Sequence, residues 1–136
     1  MTIVSLLINI DVDDLKRGVS FYTNALGLTI GRPFGGAGVE LLGAEAPIYL
    51  LAKAGGSEGV PGSPRSYARH WTPVHLDIVV ADLDPAVDRA VTAGAMLESP
   101  AAMTAWGRIA MLADPFGHGF CLIEFSEAGY DAIADV

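Results

Sequence analysis

Two residues in the segment TPVHLDIVVADL, His75 and Asp77, carry chemistry into an otherwise aliphatic run. Residues two apart on a strand share a face, because successive side chains alternate. The intervening set, Val74, Leu76, Ile78 and Val80, is aliphatic, so one face is suited to burial and the other to a site. An imidazole beside a carboxylate can move a proton, anchor a polar ligand or donate to a metal ion. His75 is therefore the candidate catalytic residue, with Asp77 placed to orient or charge it. The plainer alternative is a satisfied structural histidine.

Other residues fall into place around this pair. Cys121, in HGFCLIEF, is by default a small buried hydrophobe. As a nucleophile it would need an electropositive partner, and His75 is the nearest candidate. Trp106 and Arg108, in AWGRIAML, share a parity that leaves out Met111. If they face inwards, an indole and a guanidinium suit an aromatic or anionic ligand; otherwise Trp106 packs beneath a loop. Tyr49 and Leu51, in IYLLAKA, would complete an apolar wall. Arg65, Arg69, His70 and Trp71 lie on a connecting segment, as ligand contacts on a lid or as solvated loop residues. The turn DPFGHG reads as structural, with Asp114, Pro115 and Gly117 setting its backbone.

The elements that must position these residues occur twice. LLINIDVDDLKRGVSFYTNALG matches VHLDIVVADLDPAVDRAVTAGA, with Val12, Asp14, Leu15 and Val19 each 68 residues before Val80, Asp82, Leu83 and Val87. Each copy predicts an alternating strand, an aspartate cap (Asp13 or Asp14, then Asp82), an amphipathic helix, and a glycine stop at Gly27 or Gly94. Three short apolar runs follow each helix: LTIGRPF, GVELLG and APIYLLAKA, then AMLES, AAMTAWGRIAMLAD and HGFCLIEF. Each half thus reads as strand, helix and three strands. One half cannot cover both faces of its sheet, so the two are expected to pair. The segment Ala54 to His70 is rich in Gly, Ser and Pro, and predicts a flexible connection or lid. The tail SEAGYDAIADV predicts a short helix.

Composition bounds the function. The 136 residues, 51% hydrophobic, can bury a core as one domain. A formal charge of −8 argues against nucleic acid and suits neutral or cationic small ligands. A single cysteine excludes an internal disulfide and a cysteine-based zinc cluster. The stretch MTIVSLLINIDVDD reads as a strand rather than a signal peptide, and no run is long enough to span a membrane, so a cytoplasmic location is expected.

The segments DLKRGVSFYTNALGL, HLDIVVADLDPAV and LADPFGHGFCLIEF, together with the paired halves, resemble the vicinal oxygen chelate superfamily. Its members include glyoxalase I, extradiol dioxygenases, fosfomycin-resistance proteins and bleomycin-binding proteins. The resemblance runs from Ile3 to Phe125 and implies an α+β fold, two paired βαβββ modules forming a cupped mixed sheet around a central cavity. On that reading residues 1–136 form one glyoxalase-like domain: module one at about 3–53, a linker or lid at about 54–71, and module two at about 72–126.

In this superfamily a metal, where present, is held from the first and last strands of each module. The repeat maps those positions onto Leu7, Tyr49, His75 and Cys121, where glyoxalase-like members would carry His or Glu. Leu7 cannot ligate, Tyr49 is a poor ligand, and Cys121 is a conditional soft one. The expectation is no resident cofactor. A divalent ion held by His75 with Asp77, Asp11 or Glu124 is the alternative, Glu124 requiring a bulge to reach the cavity side. The resemblance then implies a bleomycin-resistance-type binder of a small apolar, aromatic or cationic molecule. Its ligand-binding residues would be Leu7, Tyr49, Leu51, His75, Asp77, Trp106, Arg108 and Cys121. The alternative is a glyoxalase-like lyase or isomerase, less readily a dioxygenase, using a divalent ion or proton transfer at His75. A homodimer, with no nucleic-acid or membrane partner, is expected.

Overall fold

Alternating apolar residues and aspartate-capped helices generate the same arrangement twice. In the computed structural model, which describes residues 3–135, the first module comprises β1 (Ile8–Val12), α1 (Leu15–Leu26), β2 (Thr29–Pro33), β3 (Gly38–Leu42) and β4 (Ile48–Ala52). A hairpin, β5 (Glu58–Val60) and β6 (Ser63–Pro64), follows it. The second module comprises β7 (Leu76–Val79), α2 (Leu83–Ala93), β8 (Met96–Met103), β9 (Gly107–Ala113) and β10 (Gly119–Phe125). A 3₁₀ turn at Gly129–Ala132 stands where the tail predicts a short helix. The first two residues of the N-terminal run and the last residue of the tail lie outside the described residues. The protein is α+β, with two βαβββ modules.

The two mixed sheets have matching orders, β1-β4-β3-β2 and β7-β10-β9-β8. In each, the first strand pairs in parallel with the last, and the remaining pairs are antiparallel. The chain divides into two compact units, one up to Tyr67 and one from Ala68.

Each helix covers one face of its own sheet. Asp14 caps α1 by accepting from the Arg17 amide at 3.0 Å, and Gly27 ends it in the left-handed conformation. Gly18 lets α1 approach closely, since a Cβ there would lie 3.3 Å from Val12 and Leu50. Val12, Phe21, Leu41 and Leu50 are almost wholly buried in this layer. In the second module Leu83, Leu112, Phe116 and Leu122 do the same work. Burial of each such side chain stabilises by about 1.5–3 kcal/mol.

Two local expectations need correcting. Asp82 begins α2 but its side chain makes no capping bond. Glu124, reaching from β10, accepts from the Leu83 amide at 2.8 Å and takes over that task. The segment expected to be a flexible connection is partly ordered as the β5–β6 hairpin. Arg65 closes it onto β1, with Nε 2.7 Å from Asp11 Oδ2.

Candidate functional site

The helix-free face of the second sheet gathers the candidate groups. Cys121 on β10 stands opposite Asp77 on β7 and Met111 on β9, so all three project to one side. His75 immediately precedes β7, and its Nδ1 lies 3.3 Å from Asp77 Oδ1. Trp71 covers the imidazole, with ring centroids 4.9 Å apart at 45°. One donor atom each from His75, Asp77 and Cys121 lie within 4.8 Å of one another. Burial, and then the charge and hydrogen bonding of Asp77, push the Cys121 thiol up to about 11. At neutral pH the sulfur therefore keeps its proton, which is the wrong state for a nucleophile.

The donor set matters for a resident metal. Imidazole nitrogen, carboxylate oxygen and thiolate sulfur are the ligands of a borderline-soft ion such as zinc, at about 2.0–2.3 Å each. The three atoms are already grouped to within a modest closing movement. The residues fit such an ion, provided it displaces the thiol proton.

The register does not give Arg108 its expected orientation. Arg108 pairs across from Glu124, and its Nη2 lies 2.8 Å from Asp84 of α2, so both residues lie on the helix side. Met111, expected on the other parity, shares the Cys121 face. Trp106 sits in the turn before β9 and packs edge-on against Phe125 and Tyr130, at 5.9 and 5.4 Å. The cause is local: β9 begins at Gly107, whose positive φ of 151° resets the alternation that joined Trp106 to Arg108.

In the first module the equivalent face carries Asn9 opposite Tyr49 and Asp11 opposite Leu51. Leu7 precedes β1 and is 58% exposed. Asp11 is engaged by Arg65 rather than offered to a metal. The residues missed from sequence are Arg32, Glu40 and Phe34. Arg32 and Tyr49 converge on the buried Glu40, and Phe34 lies beside Tyr49. A glutamate in the apolar run GVELLG was the available signal.

Residues 7–123 match the family model described as a glyoxalase-like domain. The chain belongs to that family. Its fold is similar to that of a glyoxalase/bleomycin resistance protein/dioxygenase family enzyme from Burkholderia phytofirmans PsJN, with a TM-score of 0.66, 18% identity, and coverage of 88% and 97% of the two chains. This glyoxalase-like domain is 36% identical over 126 residues to the anthracycline biosynthesis protein DnrV of Streptomyces peucetius, covering 90% of this chain and 41% of that one. The domain thus spans about two fifths of the length of the curated relatives it matches. Its fold is similar to TnmS3, an antibiotic binding protein from Streptomyces sp. CB03234, with a TM-score of 0.65, 22% identity, and coverage of 93% and 100% of the two chains. It is also similar to a mutant fosfomycin resistance protein FosX from Listeria monocytogenes, solved with Mn(II), with a TM-score of 0.70, 20% identity, and coverage of 93% and 94%.

Proposed function

We propose that this glyoxalase-like domain binds a small apolar, aromatic or cationic molecule and releases it unchanged. The observation that carries the reading is the Trp71–His75 ring pair beside Asp77, on a face where the only thiol stays protonated. The indole offers a flat apolar surface with the imidazole tilted at 45° beside it, and the carboxylate favours a cation at its edge. Cys121 and Met111 add a soft, polarisable wall. Tyr49, Leu51 and Leu7 are proposed for ligand contact on the first module's own helix-free side. Relatives and neighbours named for anthracycline biosynthesis and antibiotic binding support this class.

A melting screen of aromatic ammonium compounds against neutral analogues tests it, since a ligand stabilises by RT ln(1 + [L]/Kd). Stabilisation by aromatic cations, reduced in Trp71→Ala and losing its preference for cations in Asp77→Asn, is the expected result. No stabilisation by any member of the panel overturns the reading.

The three-donor cluster supports a second reading, a lyase or isomerase that uses a divalent ion, or proton transfer at His75. A bound ion would supply Lewis acidity, with His75, Asp77 and Cys121 holding it. Elemental analysis of protein purified without chelators, with and without His75→Ala, distinguishes the two. Stoichiometric metal lost in the variant favours the enzyme. Cobalt substitution giving a thiolate charge-transfer band would place Cys121 on the ion.

A further inference from the structure

The first module buries a charge that the binding surface above does not use. Glu40 is 6% exposed on the helix-free side of the first sheet. Its Oε1 accepts from the Arg32 amide at 3.1 Å and from Arg32 Nε at 3.0 Å. Its Oε2 accepts from Arg32 Nη2 at 2.6 Å and from the Tyr49 hydroxyl at 3.1 Å. Burying a carboxylate is costly unless both oxygens are matched in this way. The strand is shaped for it: a Cβ on Gly31 would stand 2.6 Å from Oε1.

The Arg32 side chain it holds remains 69% exposed. One edge of the Arg32 fork is occupied by Glu40, while Nη1 meets no acceptor among the described residues. The Phe34 ring centre lies 5.9 Å from the guanidinium carbon and 6.1 Å from the Tyr49 ring. A solvated arginine gains little from a surface partner and needs no buried one. Here a buried carboxylate fixes the fork in one orientation beside two rings, leaving donors directed outwards. Fixing donors in advance lowers the entropy lost on binding.

We propose that Arg32, Phe34 and Tyr49 form a recognition subsite for a planar aromatic molecule bearing an acceptor oxygen, a carbonyl or phenol. The ring lies against Phe34 and the oxygen meets Arg32 Nη1. Because Glu40 neutralises Arg32, the subsite favours a neutral acceptor over a carboxylate. The inference rests on the reading of the chain as a small-molecule binder and narrows it to a ligand chemistry, using none of the residues around His75.

The test compares two three-ring probes, the dihydroxyanthraquinone quinizarin and oxygen-free anthracene, on wild-type protein and on the double variant Arg32→Met/Glu40→Leu. Removing both charges avoids stranding Glu40, and circular dichroism confirms the fold. Wild type is expected to bind quinizarin about tenfold more tightly than anthracene, the worth of one good hydrogen bond. The double variant should bind anthracene as wild type does and show no preference. Phe34→Ala should weaken both probes. Equal binding of the two by wild type, binding of neither, or a preference surviving in the folded double variant overturns the subsite. If neither probe binds but the melting screen yields other ligands, this inference falls while the binding reading stands; if the screen is also empty, both fall.

Discussion

Cys121 shows how a side chain's neighbours decide its chemistry. Burial is the first cause of its raised titration and Asp77 the second. Thiolate absorbance in the ultraviolet should titrate near 11 in the wild type. Asp77→Asn should lower that midpoint yet leave it above the ordinary 9.0, because the sulfur stays buried. A return to the ordinary value would show that burial contributes little. Glu40 is the opposite case: hydrogen bonds from the Arg32 side chain and then its amide hold the carboxyl down from 4.5 to about 2. A depressed carboxyl contributes stability that is present above its unfolded value and lost as pH falls through the folded one. Melting temperature should therefore fall between about 4.5 and 2, more steeply in the wild type than in Arg32→Met/Glu40→Leu.

The elements carry a different kind of information. The repeat, Asp14 as a cap and the glycine stops were legible because they follow from local backbone chemistry. Other features were not. Glu124 caps α2 from forty-one residues away, which no local pattern reveals. The Arg32–Glu40 contact depends on a register shift in β2 between Ile30 and Pro33, and strict alternation cannot anticipate a shift. The orientation of Arg108 failed for a related reason, since β9 starts one residue after Trp106. Asp14→Ala should cost about 0.5–2 kcal/mol in chemical denaturation, and Asp82→Ala much less, because only Asp14 makes a capping bond. Gly107→Ala should cost about 3 kcal/mol or more, since its Cβ would lie 2.1 Å from the Glu124 carbonyl oxygen at a φ of 151°. Near-wild-type melting of Gly107→Ala would refute that account of the β9 start.

At the scale of the whole chain, charge and duplication dominate. A net charge of −8 surrounds any bound molecule with a negative field. Raising sodium chloride from about 0.05 to 0.5 M should weaken binding of an aromatic cation and leave a neutral analogue unchanged, because screening acts only on the charged partner. Equal salt dependence for both would remove long-range charge from the account. Among the described residues no helix is long and apolar enough to cross a membrane.

Because Asn9 faces Tyr49 as Asp77 faces Cys121, each position in one sheet has an address in the other. Leu7 stands just before β1 as His75 stands just before β7. Writing Leu7→His, Asn9→Asp and Tyr49→Cys would transplant the imidazole, carboxylate and thiol into a scaffold of the same strand order. One half of the molecule would then serve as the blueprint for refitting its twin.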